Sequence, residues 1–239
     1  MIFEIKSRQN ERIKEVVKLQ QASHKETKQQ FIVEGFHLLE MALNANAVKE
    51  VYTLKEISNL SNKIPQYIVT SEIMEKISTN KSPQGVLAIC SMKKAEPISS
   101  NKVLYLDDVG DPGNMGTLLR TALAFGYNDI IISNHSCSIY NEKAIQASQG
   151  ALFKLNIIKG DSSLLKALKG YEILATEIKG SLDLKSINAP QKFVLVLGNE
   201  ARGVSDEILK IADKRIRIDI KDIESLNVAI AGAICMYSL

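Results

Sequence analysis

The sequence predicts an α/β protein built from two domains, the second of which contains a parallel sheet, and three observations support this. The chain has 239 residues, enough for one large or two modest domains. A polar stretch, residues 92–101, contains Pro97 and separates two regions of periodic apolar residues, so it is predicted to be a linker. After this stretch the apolar residues form continuous runs, which is typical of strands buried on both faces of a parallel sheet.

Residues 1–91 are predicted to form a small α/β sandwich. Apolar residues at helical spacing predict a helix over 10–20, and the run 31–35 predicts a strand that ends on Gly35. A helix follows this strand, and Ser71 is expected to cap another helix that begins there. The remaining strands are predicted at 48–54, 66–70 and 85–91.

Residues 102–239 are predicted to form the parallel sheet, with helices covering its faces. The strands are predicted at 103–106, 129–133, 154–158, 172–176, 193–198 and 215–218. The helices between and after them are predicted at 114–125, 141–150, 162–168, 204–211 and 225–237.

The composition argues against several classes of protein. No apolar run reaches the ~18–20 residues that span a bilayer, and the amino terminus has no apolar region typical of a secretory signal. Cys90, Cys137 and Cys235 lie far apart without CxxC spacing, which favours reduced thiols in a cytoplasmic protein over disulfides or zinc. The histidines are equally scattered, so no metal site is predicted.

The charge is weakly basic and unevenly distributed. The formal net charge is +3, and the first 30 residues hold 7 Lys and Arg against 4 Glu. Such an excess is compatible with a partner that has a phosphate backbone. A solvated helix face would have the same composition, so both interpretations stay open.

A glycine-containing loop follows the first strand of the second domain. Gly110, Gly113 and Gly116 lie between this strand and a helix, where backbone N–H groups can approach an anion. Their spacing is G-x-x-G-x-x-G, which differs from the dinucleotide fingerprint. Asp129 lies about the right distance away for a ribose contact, but the spacing argues against an NAD site. A turn-rich loop without a ligand is the alternative.

Arg120 is the first candidate for chemistry. It lies in a helix whose neighbouring residues are largely apolar, and a guanidinium in such surroundings is expected to have an anionic partner.

Glu200 is the second candidate. It follows a strong apolar strand and Gly198, and ligands of parallel sheets bind beyond the carboxyl ends of the strands. Glu200 is therefore expected to pair with a basic residue or to bind a hydroxyl. The alternative is a carboxylate stabilised by the dipole of a helix that begins near Ser205.

The end of the chain is the third candidate. Ser225 and Asn227 precede a helix that is apolar nearly all round, and such a helix is normally buried although chain ends are normally exposed. One of these residues is expected to cap the helix. Two of them, together with Glu224, exceed what a cap requires.

Three segments, in this order, resemble the motifs of the SpoU/TrmH family of RNA ribose 2′-O-methyltransferases, part of the SPOUT superfamily. They are N-x-G-x-x-x-R-T-A at 114–122, G-N-E-x-x-G at 198–203 and E-S-L-N-V-A at 224–229. Residues 143–155 resemble the segment between the first two motifs, so the resemblance covers about residues 100–239. The region before them resembles the substrate-binding domain found in front of many members, which is built like a small ribosomal protein.

The resemblance implies domains at 1–91 (RNA substrate binding) and 102–239 (a SPOUT domain with a deep trefoil knot), joined by the linker. It implies S-adenosylmethionine (SAM) as cofactor, RNA as substrate and a homodimer formed through the C-terminal domain. Knots are rare exceptions to the rules of chain threading. In a knot the last helix would be threaded into the core and packed against the partner subunit, which would explain why it is apolar nearly all round. The implied cofactor-binding residues are Thr176, Leu197, Gly198, Ile218 and Leu226. The implied polar active-site residues are Asn114, Arg120, Glu200, Ser225 and Asn227.

Methyl transfer to a ribose requires such a set, because the hydroxyl is a poor nucleophile and must lose its proton. Arg120 would stabilise the developing alkoxide and could also hold a phosphate. Asn114, Ser225 and Asn227 would orient Arg120 and the ribose, and Glu200 would hold this network or position Arg120. The motifs contain no histidine, so no general base is predicted.

The sequence departs from the family before the third motif. Asp219 stands where proline is usual, and the loop that follows lacks the usual glycine and is one residue shorter. A catalytically inactive RNA-binding relative is therefore an alternative, and a nucleotide-dependent oxidoreductase is a weaker one. Ribosomal RNA is preferred to tRNA as substrate because of the appended front domain.

Overall fold

The computed structural model describes residues 1–80, 82–179 and 182–239, and the chain divides into two compact units. Unit 1 contains Met1–Lys94 and Tyr140–Phe153. Unit 2 contains Ala95–Ile139 and Lys154–Leu239. The division into an RNA-binding domain, a linker and a methyltransferase domain, with boundaries at 91/92 and 101/102, stays a prediction.

Unit 1 is an α/β structure around a mixed sheet. The sheet has the order β1-β4-β3-β5-β2, in which β1, β4 and β3 are parallel and β5 is antiparallel to its neighbours. Its strands are β1 (Ile2–Ile5), β2 (Gln30–Glu34), β3 (Val48–Thr53), β4 (Gln66–Val69) and β5 (Val86–Ser91). Its helices are α1 (Glu11–Lys18), α2 (Ala22–Lys28), α3 (Phe36–Asn44), α4 (Ser71–Ile77) and, from the later segment, α6 (Glu142–Ser148).

The segment 140–153 packs with the front part of the chain. Lys25 is buried, and its Nζ lies 2.6 Å from a carboxylate oxygen of Glu142 and donates to the carbonyl oxygen of Tyr140 at 2.8 Å. The ring of Phe31 contacts the rings of Tyr140 and Phe153, at centroid distances of 4.7 and 5.8 Å. A buried ion pair is weak evidence for stability, so the apolar contacts are the main attachment of this segment.

Unit 2 has the predicted parallel sheet. Within the described residues its order is β10-β12-β9-β11-β6-β7-β8, and all neighbouring strands run parallel. The strands are β6 (Lys102–Leu106), β7 (Asp129–Ile132), β8 (Asn156–Lys159), β9 (Glu172–Thr176), β10 (Leu182–Asp183), β11 (Phe193–Leu197) and β12 (Lys214–Arg217). The helices are α5 (Pro112–Ala124), α7 (Ser162–Ala167), α8 (Asp206–Ile211) and α9 (Val228–Ser238). The chain order reverses between β6 and β11, and ligands of open parallel sheets bind at such a point.

The terminal helix α9 has two apolar faces with different surroundings. Its buried residues are Val228, Ala229, Gly232, Cys235 and Met236. A Cβ atom on Gly232 would lie 2.5 Å from Leu118 and 2.6 Å from Leu197, so glycine lets α9 pack closely on α5 and β11. The other face exposes Ile230, Ile234 and Tyr237. The chain therefore covers only half of this apolar helix by itself.

Asp129 fastens the predicted linker. Its buried carboxylate accepts hydrogen bonds from the N–H groups of Ser99 and Ser100, from the Ser100 hydroxyl and from the Asn156 amide. Burial alone would raise the pKa of Asp129, but these hydrogen bonds outweigh it and lower the pKa. Asp129 begins β7, at the amino edge of the sheet. It therefore lies at the edge opposite the carboxyl ends, which excludes the ribose contact considered for an NAD site.

Several local features complete the description of the fold. Thr70, rather than Ser71, caps α4, because its hydroxyl accepts from the N–H of Ile73. The three cysteines are free. No helix in the described ranges is long and apolar enough to cross a membrane. Among the described residues, no group of three or more His, Cys, Asp or Glu is arranged to hold a metal ion.

Most of the basic residues near the amino terminus are paired. Lys6, Arg12, Lys14 and Lys18 each form an ion pair with a glutamate, and Lys25 pairs with Glu142. Glutamates of the same chain therefore balance most of this local positive charge.

Candidate active site

The candidate site lies at the carboxyl edge of the sheet of unit 2. The loop after β6 carries Gly110 and leads into α5, and the loop after the neighbouring strand β11 carries Glu200. Asp111 caps α5, since its carboxylate accepts from the N–H of Asn114 at 2.8 Å, and Pro112 occupies the first turn. These local choices place Asn114 at the start of α5, beside the β11 loop.

Glu200 is held at the entrance to α5. Its carboxylate accepts from the N–H groups of Gly110 and Asp111, both at 3.2 Å, and from the side-chain amide of Asn114 at 3.0 Å. Burial alone would raise the pKa of Glu200, but these hydrogen bonds outweigh it and lower the pKa. The glycine loop thus binds an anion as its sequence suggested, and that anion is Glu200 itself. The carboxylate lies at the amino end of α5, not of the helix near Ser205.

A chain of side-chain amides connects the three motifs. The amide Nδ2 of Asn227 donates to Oδ1 of Asn114 at 3.0 Å, and Asn114 in turn donates to Glu200. The Oδ1 atom of Asn227 accepts from the N–H groups of Ala229 and Ile230, so Asn227 is the residue that caps α9. Because the caps and Glu200 fix the direction of each bond, both amides have one defined orientation.

Glycine is required at position 198, because there is no space for a side chain. A Cβ atom at this position would lie 2.1 Å from the carbonyl carbon of Gly203 and from the nitrogen of Val204. The turn 199–203 folds back over Gly198 and is closed by two hydrogen bonds between the backbones of Asn199 and Gly203, each 2.9 Å long. Gly198 is itself buried, so the missing side chain is what allows this turn to close tightly over the end of β11.

The predicted cofactor-binding residues lie at the ends of three neighbouring strands. Thr176 ends β9, Leu197 ends β11 and Ile218 follows β12, and β9 lies between the other two strands. Leu197 is buried, and its carbonyl oxygen accepts from the N–H of Asp107 at 2.8 Å. The Thr176 hydroxyl donates to the carbonyl oxygen of Val196 at 3.0 Å. These side chains shape the edge, and Gly198 lets the turn after β11 pack tightly against it.

The loop before the third motif has free backbone groups. Residues 219–226, which include Leu226, make no backbone hydrogen bond with any residue that the structure describes. Asp222 adopts a positive φ of 62°, so it takes the left-handed conformation in the loop that lacks the family's glycine. Asp219 is exposed. A ligand at this edge would meet unpaired peptide groups.

Arg120 and Ser225 do not join the amide network within one chain. Arg120 is exposed and makes no hydrogen bond or ion pair with any described residue, so the anionic partner expected for it is not among them. It lies six residues after Asn114 on α5, roughly 120° around the helix axis and ~9 Å along it. Leu118, Leu119 and Ala122 form the buried face instead. Ser225 is likewise exposed and has no partner among the described residues.

Sequence reasoning missed residues that fasten the two loops. Asn199 donates from its amide to the carbonyl oxygen of Asp108 at 2.8 Å, and Arg202 pairs with the Asp108 carboxylate. The buried Asp107 carboxylate accepts from the N–H of Ser205 at 2.7 Å. The sequence contained a signal for these contacts, because two adjacent acidic residues follow β6 and one basic residue lies in the loop after the neighbouring strand β11.

Cys137 lies near the site but is not activated. Burial and then the charges of Asp111 and Glu200 raise the pKa of this thiol to about 11. The group therefore stays protonated near neutral pH and is a poor nucleophile.

Comparison with known proteins identifies the family. Residues 101–237 match the model of the SpoU rRNA Methylase family. The chain belongs to this family. Residues 10–88 match the MRM3-like substrate binding domain. Among family members, the 23S rRNA (guanosine(2553)-2′-O)-methyltransferase RlmP of Bacillus subtilis is 30% identical over 244 residues, which cover 99% of this chain and 98% of RlmP.

Solved structures of the family confirm the α/β fold. An rRNA methyltransferase from Sinorhizobium meliloti superposes with a TM-score of 0.88 at 26% identity, covering 99% of this chain and 96% of that one. The AdoMet-bound structure of an rRNA methyltransferase from the same organism superposes with a TM-score of 0.87, also at 26% identity, covering 99% of this chain and 97% of that one. The resemblance read from the three motifs is thereby confirmed.

Proposed function

We propose that the protein transfers a methyl group from SAM to a ribose 2′-hydroxyl of ribosomal RNA, specifically 23S rRNA. The observation that carries this proposal is the chain Glu200–Asn114–Asn227, which joins the three family motifs at one edge of the sheet. The match over 101–237 and the likeness to RlmP support the reaction class. The front match over 10–88 supports an RNA-binding role for that region.

The residues at the carboxyl edge fit the cofactor. Gly198 keeps the turn at the end of β11 compact, and the unpaired peptide groups of 219–226 offer hydrogen-bond donors and acceptors. Thr176, Leu197, Ile218 and Leu226 would complete this set. SAM, when bound, supplies a methyl group on a positively charged sulfur. The chain's task is to place a ribose oxygen in line with that methyl group.

Each polar residue then has a role in the transfer. In the transfer, the ribose oxygen would bond to the methyl group that SAM supplies, S-adenosylhomocysteine would leave, and the hydroxyl proton would pass to solvent. Asn114 and Asn227 have fixed amides that would orient the ribose, and Glu200 keeps Asn114 in place. Arg120 would stabilise negative charge on the ribose oxygen, and Ser225 would orient Arg120.

A homodimer formed through unit 2 would complete the set of polar active-site residues. Helices α5 and α9 pack together, with the rings of Phe125 and Tyr237 at a centroid distance of 5.6 Å. The outer face of α9 is apolar, with Ile230 54% and Tyr237 78% exposed, and such patches mark interaction sites. Arg120 is exposed on α5, the helix that packs against α9. We therefore propose that a second copy covers α9 and that Arg120 acts across the interface.

Replacement of Ile234 by glutamate is expected to convert the dimer to a monomer. Ile234 lies between Ile230 and Tyr237 on the exposed face of α9, and a buried unpaired charge there is costly. Light scattering after size-exclusion chromatography measures the mass. Phe36→Glu, at another exposed apolar position, which lies in unit 1, is the control and should stay dimeric. A wild-type chain that is monomeric at micromolar concentration, or a dimeric Ile234→Glu variant, would contradict the proposed interface.

Two further features belong to the proposal. Threading of the segment before α9 into a trefoil knot would explain how Asn227 reaches Asn114 across 113 residues of chain. A cytoplasmic location follows from the proposed substrate.

Titration with S-adenosylhomocysteine and transfer of labelled methyl groups test the proposal. We expect saturable cofactor binding by calorimetry, and incorporation of label into 23S rRNA that has been purified from cells lacking the gene. RNA binding without measurable affinity for S-adenosylhomocysteine would instead favour the catalytically inactive RNA-binding relative. Asp219→Pro, which introduces the residue usual in the family, would then be the first variant to test for restored affinity.

A further inference from the structure

An ion pair at the carboxyl edge of unit 2 has no part in the roles described above. Arg202 lies in the loop after β11, two residues beyond Glu200, and Asp108 lies in the loop after β6. The guanidinium nitrogen Nη2 of Arg202 donates to Oδ2 of Asp108. Since Glu200 joins the same two loops to Asn114, the pair lies at the rim of the proposed active site.

Stability does not account for this pair. The Arg202 side chain is 74% exposed and that of Asp108 is 29% exposed, and exposed ion pairs contribute little to folding. Asp108 also has a positive φ of 59°, which is unfavourable for a residue with a side chain. The conformation is held because its N–H donates to the Ser133 hydroxyl and its carbonyl accepts from Asn199. A strained residue that is held so completely indicates a functional constraint.

The guanidinium is oriented but not saturated. Only Nη2 of Arg202 contacts Asp108, and Nε and Nη1 make no hydrogen bond with any described residue. A guanidinium has five N–H donors in a planar arrangement that matches phosphate oxygens in pairs. Asp108 therefore fixes the direction of the group and leaves donors free on its solvent side.

The charge of the two loops requires a cation if RNA is to approach. The stretches 107–111 and 198–205 contain Asp107, Asp108, Asp111 and Glu200, and Arg202 is their one basic residue. An RNA backbone is repelled by carboxylates and is attracted by arginine. Arg202 therefore brings positive charge to the place where the target nucleotide must enter.

We propose that Arg202, positioned by Asp108, binds a backbone phosphate of the RNA beside the ribose that is methylated. This inference rests on the proposed function, because it takes RNA as the ligand of the site. It assigns Arg202 a contact with substrate and Asp108 a positioning role. Neither residue takes part in the transfer step itself.

The test compares Arg202→Gln and Arg202→Lys with Lys214→Gln. Lys214 pairs with Glu172 at 2.7 Å where β12 and β9 begin, so it lies at the opposite edge of the sheet. For Arg202→Gln we expect RNA affinity to fall about tenfold. The slope of log affinity against log salt should decrease by about 0.7–0.9, since one phosphate contact is lost. The affinity for S-adenosylhomocysteine and the melting temperature should not change.

The other variants separate charge from geometry. Arg202→Lys should keep the salt slope and lose part of the affinity, because lysine retains the charge without the planar group of donors. Lys214→Gln should behave as wild type. Wild-type affinity and slope in Arg202→Gln would overturn the proposal, and so would a change confined to cofactor affinity or melting temperature. Binding is measured without methyl transfer, so a failure of the proposed reaction is recognised separately in the wild-type enzyme.

Discussion

Replacement of Arg120 by alanine is expected to lower methyl transfer to RNA by about 100- to 1,000-fold, the usual effect of removing a donor that stabilises a developing oxyanion. Arg120 is exposed and has no partner among the described residues, so its removal leaves no buried group unsatisfied. Folding and cofactor affinity should therefore be retained. The measurement is the single-turnover rate with labelled SAM, at saturating RNA.

Two controls define what the loss means. Arg120→Lys keeps the charge but not the planar group, and it should recover only part of the rate. Thr117→Ala changes the preceding exposed position of α5 and should leave the rate unchanged. A full rate in Arg120→Ala would show that the motif arginine has another role in this chain.

Replacement of Gly198 by alanine is expected to have the largest effect on stability. The added Cβ would lie 2.1 Å from backbone atoms of Gly203 and Val204, which cannot move aside as a flexible side chain can. A cost of about 3 kcal/mol or more follows for such overpacking. That cost corresponds to a melting temperature lower by roughly 6–12 °C for a chain of this size. Because Gly198 lies at the proposed cofactor edge, binding of S-adenosylhomocysteine should also be lost.

Gly203→Ala is the matched control in the same turn. Its Cβ would meet no atom within 4 Å, but its φ of +71° is unfavourable for alanine. It should therefore cost only about 1–2 kcal/mol and leave cofactor binding measurable. Differential scanning calorimetry and titration with S-adenosylhomocysteine distinguish the variants. Equal behaviour of the two would contradict the steric account of Gly198.

The sheet of unit 2 and the convergence of the motifs could be predicted from the sequence. Continuous apolar runs such as 193–197 indicate strands buried on both faces, and parallel strands bring their carboxyl ends to one edge. Glu200 and Asn114 therefore had to lie near each other, although they are 86 residues apart. The sequence could not show which helix has the Glu200 carboxylate at its amino end. Two helices begin near this edge, and only the fold decides between them.

Other features depend on contacts that a local pattern does not encode. The pair Lys25–Glu142 joins positions 117 residues apart, so nothing in the sequence around α6 shows that it packs with the front part of the chain. The strand β1 was not predicted, because it has only four residues, of which one is buried, and lacks a clear alternation of apolar and polar residues. Arg120 was expected to have an anionic partner because its neighbours along the chain are apolar. Those neighbours face another side of α5, which a check of helical spacing would have shown.

A map of 2′-O-methyl groups in total RNA tests the central claim most directly. RNA would be compared from cells that express the wild-type gene, no gene, or the Arg120→Ala variant. The account predicts one position in 23S rRNA that carries a ribose methyl group in the wild type alone. Identical maps in the three strains, or a difference confined to tRNA or to base methylation, would contradict it.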